Sequence, residues 1–336
     1  MSRQLGGHVP GYRRLPRAAA LAVLASVTLL LAACSSGSSS TTSTSTSSAG
    51  TSTSTSSSSS PAAAGNGKSL TLGTKDFTEE FILGSLYKLT LQAKGYTVTY
   101  KANIGATEVI DKALTSGQID AYPEYTGESV ATVAGIKTTP TTPQQEYNLA
   151  KAFYAKRGQS MSAITPFFDT DAIAVTKAFA AKYGLKTTAD LKKAPHFTLG
   201  ARPEFQGREE GALGLQQVYG LHNFTFKSLA LGIQYQALDS GAVDAVDVFT
   251  TDPQLASGKY VVLTDPKNIF GFQNIALVIN TQKLNQLGGQ AFLSIINQVN
   301  ALLTTPAIIA MNKAVAVDKQ QPDAVARAFL QANHII

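Results

Sequence analysis

The sequence predicts an α/β protein of two lobes with a ligand cleft between them. Three observations carry this. A 16-residue stretch occurs twice: 113–128 reads ALTSGQIDAYPEYTGE and 237–252 reads ALDSGAVDAVDVFTTD, an offset of 124 residues. TLGTKDF at 71–77 is echoed by TLGARPEF at 198–205, an offset of 127 residues. Two echoes in the same order at nearly one offset indicate two lobes built on one plan. Strand and helix patterns also alternate along the early body, which favours parallel strands flanked by helices. At 336 residues the chain has room for two cores rather than one.

In chain order, residues 1–33 read as a signal peptide. Arg3, Arg13, Arg14 and Arg17 precede an apolar run, 18–33, that ends at Leu31-Ala32-Ala33-Cys34. A basic segment, a short apolar one and small residues before a cysteine describe a secretory leader. A mostly apolar run of 16 residues is short for a stable membrane span. LAAC resembles a bacterial lipobox, which implies cleavage before Cys34 and lipid attachment to its thiol. Arg13-Arg14 leaves both the Sec and the twin-arginine route open.

Cys34 is the only cysteine, so the body has no disulfide, Cys-based metal site or Cys nucleophile. Without the four leader arginines, the 28 basic residues fall to 24 against 22 acids. The basic balance is therefore partly a property of the leader and does not call for nucleic acid. Residues 34–67 read as a lipidated Cys and a tether, because 35–60 is nearly all Ser, Thr, Ala and Gly. Such a composition buries too little apolar surface to fold. The expected location is the outer face of the bacterial cytoplasmic membrane.

The body opens with a strand at 69–74. A helix follows, capped by Asp76 or Thr78, with Glu79 and Glu80 in its first turn and Gly95 at its end. A strand at 96–102, a helix at 107–115 and a strand at 118–122 complete the first unit. Further helices are expected at 144–158, 209–219, 233–238, 291–303, 307–317 and 324–332. Further strands are expected at 173–176, 243–248, 260–263 and 276–279, and another starting at Thr198. The first lobe is expected to comprise 68–170 plus 274–336 and the second 171–273. A chain that crosses twice makes a hinge, with a cleft between the lobes.

Enzyme motifs are lacking: there is no nucleophile elbow, P-loop or dinucleotide fingerprint. His196, His222 and His334 lie far apart, without metal-ligand spacing. Asp120 and Asp244 occupy matching places and read as clamps on loop N–H groups rather than as catalytic acids. Polar and aromatic residues concentrate at the expected cleft: Lys75, Asp76, Tyr122, Glu124, Tyr125 and Glu128 from one lobe, and from the other Asp169, Asp171, Arg202, Glu204, Arg208, Asp247, Phe249 and Asp252. Rings beside carboxylates suit a small organic cation. Lys75 and Arg208 suit an acidic group on the same ligand.

TKDFTEEFILG (74–84), GQIDAYPEYTGE (117–128), EFQGREEGALGLQQVYGL (204–221) and YQALDSGAVDAVDVFTTD (235–252) closely resemble the osmoprotectant-binding lipoproteins of ABC importers. These are of the glycine betaine, carnitine and choline type, and the resemblance runs from about Leu70 to Leu330. It implies a type II periplasmic-binding-protein fold that closes over a solute. It also implies delivery to a permease powered by an ATPase. The expected protein is a monomer and no enzyme, with no cofactor and no metal.

The family's lysine after its first strand falls on Lys75, a cage tyrosine on Tyr125 and an arginine on Arg208. Four ligand positions depart from the pattern. A hydroxyl donor becomes Glu128, and three cage tyrosines become Asp171, Phe249 and Gln273. A trimethylammonium group has no N–H to donate and favours rings. Glu128, Asp171 and Gln273 instead suit a ligand with donors of its own, and a betaine carboxylate next to Glu128 would be repelled. The expected ligand is therefore a small cationic or zwitterionic solute. The alternative class is a sensor that signals to a membrane receptor by the same closure.

Overall fold

The computed structural model describes residues 64–137 and 140–336. The signal peptide, the lipidation site at Cys34 and the tether as far as residue 63 lie outside the described residues. Residues 64–67, expected in the tether, form a turn on the body: Gly65 N donates to Lys94 O (2.8 Å) and Gly67 N to Gly95 O (3.0 Å). The approach requires glycine, because a Cβ on Gly65 would lie 2.3 Å from Tyr96 N.

The described residues form two five-stranded sheets. The first lobe holds β1 (Ser69–Gly73), β2 (Thr97–Lys101), β3 (Ala121–Tyr125) and β4 (Gln159–Met161). The second holds β5 (Asp171–Thr176), β6 (Phe197–Ala201), β7 (Phe224–Ser228), β8 (Ala245–Phe249) and β9 (Tyr260–Leu263). The last strand, β10 (Ile275–Asn280), returns to the first sheet. The orders are β2-β1-β3-β10-β4 and β7-β6-β8-β5-β9. In each sheet three strands run parallel, and one crossing strand lies antiparallel beside the third.

The sequence echoes map onto this shared topology. Leu72 pairs with Ala121 in one sheet, and their counterparts Leu199 and Ala245 pair in the other. Asp120 and Asp244 are clamps, though on N–H groups of the neighbouring strands β1 and β6 rather than on the loop N–H groups expected. Thr71 N donates to Asp120 Oδ2 (2.7 Å), while Asp120 N donates to Thr71 O (2.8 Å). Thr198 N donates to Asp244 Oδ2 (2.8 Å), and Asp244 N to Thr198 O (3.0 Å).

Both sheets bury both faces, and strand alternation sorts the residues. On β10, Ile275, Leu277 and Ile279 enter one core with Leu72, Ile82, Leu86 and Phe292. Ala276 and Val278 enter another with Ile110, Leu114 and Tyr122. In the second lobe, Ile173 and Leu199 pack with Phe205 and Leu215, while Ala174 and Val246 pack with Leu238.

Several expected boundaries shift. β3 begins at Ala121 rather than 118, because Asp120 is spent on the clamp, and the strand takes in Pro123. Thr126 N donates to Asn274 O and Asn280 N to Asp120 O, both at 2.9 Å, so Pro123 turns its ring nitrogen away from that ladder. The helix Thr78–Ala93 has Phe77 as its N-cap residue, with no side-chain cap from Asp76 or Thr78. The two segments running between the lobes lie side by side: Phe168 bridges Asn274, and Asp169 N donates to Gln273 O (3.2 Å).

Asp120→Ala and Asp244→Ala should each lower unfolding free energy by about 1 kcal/mol in urea titrations. Their effects should add, because the clamps are in separate sheets.

Candidate functional site

The ends of the parallel strands carry the site, as expected for open α/β sheets. The loop after β1 brings Lys75, Asp76 and Phe77; β3 ends at Tyr125 and turns through Thr126–Glu128. From the second lobe, Arg202 and Arg208 follow β6, and Phe249 ends β8. The crossing segments add Asp169, Asp171 and Gln273. The structure brings Lys75, Tyr125, Glu128, Asp171, Arg208, Phe249 and Gln273 onto one interlobe cavity of about 440 Å³, including its open mouth. None of the seven residues singled out from sequence lies elsewhere.

Two buried guanidinium groups organise its charge. Arg202 makes a bidentate pair with Asp171 (Nη1–Oδ1 2.6 Å, Nη2–Oδ2 2.9 Å) and reaches Asp247 Oδ2 at 2.7 Å. Its Nε also lies 3.3 Å from Glu204. Burial disfavours the Arg202 charge, but Asp171 and Asp247 outweigh it and hold the group more firmly protonated. Arg208 crosses the cleft. It donates to Glu128 Oε1 (2.6 Å) and to both oxygens of Glu108 (3.1 and 3.0 Å), all on the first lobe. Burial pushes the Glu128 carboxyl up, yet Arg208, Lys75 and Arg202 prevail and hold it at about 2.

Glu128 is therefore an ionised, paired acid rather than the free carboxylate expected to repel a ligand's acidic group. Its backbone N–H donates to Gln273 Oε1 (3.0 Å). Gln273 packs against Gly127, where a Cβ would lie 2.5 Å from its Nε2 and would displace the amide.

The third base is also paired. Lys75 Nζ bonds the fully buried Glu124 and stands 4.7 Å from the centroid of the Tyr125 ring. Burial opposes its charge, but Glu124, Glu128 and Glu80 outweigh it and raise its pKa. Tyr125 OH donates to Glu79 Oε1 (2.9 Å), which fixes the ring. Phe77 lies between Tyr125 (5.9 Å) and Phe249 (5.4 Å, stacked), so three rings from two lobes form one wall.

Five acids (Asp76, Glu128, Asp169, Asp171 and Glu204) and three bases (Lys75, Arg202 and Arg208) line the cavity. The balance, with the aromatic wall, suits a small solute that carries a positive charge. Among the described residues no group of three or more His, Cys, Asp or Glu could hold a metal ion.

Phe77 was not singled out as a ligand contact, nor was Arg202 ranked with the leading site residues. The repeat held a signal for Arg202: in TLGTKDF and TLGARPEF it stands where Lys75 stands. Glu108 gave no signal, because an acid in a helix's first turn has a local electrostatic reason to be there.

The family model described as the substrate binding domain of an ABC-type glycine betaine transport system matches residues 68–332. The chain is 30% identical over 267 residues to the ergothioneine transport permease/ergothioneine binding protein EgtU of Helicobacter pylori, covering 79% of this chain. It spans only 47%, about half, of that relative's length. It is also 30% identical over 282 residues to a glycine-betaine-binding protein of Pseudomonas aeruginosa, covering 80% of this chain and 89% of that one. A crystal structure of a glycine betaine/carnitine/choline ABC transporter superposes with a TM-score of 0.64 at 23% identity, over 80% of this chain and 99% of that one. It carries the two-lobed periplasmic-binding-protein fold.

Arg202→Met leaves Asp171 and Asp247 buried without their counter-ion and should cost about 3–5 kcal/mol of stability at neutral pH. Burial and Asp171 already push Asp247 up against the opposing pull of Arg202. Losing Arg202 raises it further, so the folded variant binds a proton more tightly than its unfolded chain. The deficit should grow as pH rises above the ordinary carboxylate range and shrink as pH falls towards 4. Thermal melts of both proteins across that range check this.

Proposed function

The chain belongs to the family of substrate-binding domains of ABC-type glycine betaine transport systems, and we propose that it captures a small cationic or zwitterionic solute between its lobes for delivery to an ABC permease. One observation carries the reading: the seven residues singled out from sequence converge on one interlobe cavity with an aromatic wall and an excess of acids. We read 68–170 plus 274–336 as one lobe and 171–273 as the other, acting as a monomer. The leader and LAAC support an extracytoplasmic protein anchored through lipid on Cys34.

The replaced cage positions remove rings that a trimethylammonium group alone would favour: Asp171 pairs with Arg202, Glu128 with Arg208, and the Gln273 amide accepts from Glu128 N and donates to Phe270 O. The cleft acids without a basic partner among the described residues, Asp76 and Asp169, are the acceptors that support a solute with N–H donors. Ergothioneine, named for the Helicobacter relative, joins a trimethylammonium carboxylate to a ring bearing N–H groups. Glycine betaine, named for the Pseudomonas relative, has none. A ligand closes the lobes only through contacts that differ between the open and closed states. Tyr125 and Arg208 are the contacts from opposite lobes that we assign to this task.

Calorimetric titration with ergothioneine, glycine betaine, choline and carnitine tests the assignment. The N–H-bearing zwitterion should bind at least about tenfold more tightly than glycine betaine, a difference near 1.4 kcal/mol. Glycine betaine binding most tightly would remove the argument from the altered cage. Tyr125→Ala and Arg208→Ala should each weaken the best ligand by more than about tenfold, with circular dichroism showing the body still folded.

A further inference from the structure

A second interlobe cavity, about 690 Å³ including its mouth, adjoins the first. The two share five residues, among them the stacked rings of Phe77 and Phe249, which form a common wall. Their chemistry differs. The second is lined by four carboxyl groups, Asp76, Glu79, Asp169 and Asp252, and by no lysine or arginine.

The hydrogen bonds made by the three deeper acids all come from neutral groups. Glu79 accepts from Tyr125 OH (2.9 Å), Thr251 OH (2.6 Å) and the Asn312 amide (2.8 Å). Asp169 accepts from Thr251 N (2.9 Å) and the Thr250 hydroxyl (3.3 Å). Asp252 accepts from Tyr235 OH (2.8 Å) and Phe249 N (3.1 Å). Burial pushes all three carboxyls up, Asp252 to about 6.

A second observation is independent of the acids. Asn312, only 5% exposed, lines this cavity, and its Oδ1 has no hydrogen-bond partner. The buried Oε1 of Gln254, also in the lining, has none either. Both unmet atoms are acceptors. A buried acceptor without a donor costs free energy that a ligand donor recovers. What the chamber lacks is therefore a positive charge together with N–H groups. A quaternary ammonium supplies the charge alone; a primary or secondary ammonium supplies both.

We propose that the chamber behind the Phe77–Phe249 stack is a second subsite that binds the primary or secondary ammonium end of an elongated solute whose remainder lies in the first cavity. The subsite rests on the reading of the cleft as a solute site and extends it.

The test uses Gln254→Lys, which places an internal ammonium on the wall of the second chamber. Gln254 lines that chamber and not the first cavity, and it is partly exposed. Calorimetric titrations of the purified wild type and variant use 1,4-diaminobutane as the N–H cation and choline as a quaternary cation without N–H. Circular dichroism confirms that the variant is folded. The diamine should bind the wild type and lose at least about tenfold in affinity in the variant, with choline affinity changed less than about twofold. Equal diamine affinity in both proteins overturns the subsite, as does a wild type that binds choline but not the diamine. In either case the first-cavity reading stands. A wild type that binds neither cation overturns the subsite together with the cationic reading of the cleft.

Discussion

Arg208 reaches from the second lobe to two acids of the first, and the site depends on that contact. Its guanidinium bonds Glu128 at 2.6 Å and Glu108 at 3.0 Å. The pair with Glu128 is buried, so removing one partner leaves a buried charge uncompensated, whereas Glu108 meets the guanidinium with its side chain half exposed. Arg208 therefore sets both the charge of the cavity and the approach of the lobes. Thr251 to Glu79 (2.6 Å) and Lys137 to Glu209 (3.0 Å) add to the same seam. The lobes meet mainly through polar groups, the type of interface that can open and reclose without exposing a hydrophobic core.

Arg202 completes the arrangement inside the second lobe. It holds Asp171 and Asp247 and stands 5.3 Å from the centre of the Phe249 ring. It thus supplies its own cation to a ring and two carboxylates. Asp171 serves the arginine as well as lining the cavity. The aromatic wall is made by Tyr125, Phe77 and Phe249. Lys75, Arg202 and Arg208 are all paired with acids, so a solute meets a lattice of fixed ion pairs rather than isolated charges.

Much of this was legible in the sequence. The repeat located both clamps, Asp120 and Asp244, since an identical local motif makes an identical local hydrogen bond. Alternation and helical spacing placed most elements, and ten of the fourteen expected cleft residues met in one cavity, while Tyr122, Glu124, Asp247 and Asp252 lie outside its lining. What was not legible is the pairing of charges across the cleft. Glu128 and Arg208 are 80 positions apart, and nothing local to either names the other. Read alone, Glu128 looked like a barrier to a carboxylate; paired, it is neutralised. Phe77 escaped because one aromatic beside a charged loop looks the same whether it packs in a core or faces a ligand. The start of β3 falls later than expected because Asp120, half-buried just before the strand, fits the strand's alternation.

The most direct test is a crystal structure of the protein purified with its native solute, alongside mass spectrometry of that solute. One small cationic or zwitterionic molecule should lie in the interlobe cavity, against the Tyr125 ring and within hydrogen-bond reach of Arg208, with the Arg208–Glu128 pair intact. A solute bound outside that cavity, or a purely anionic one within it, would contradict the account.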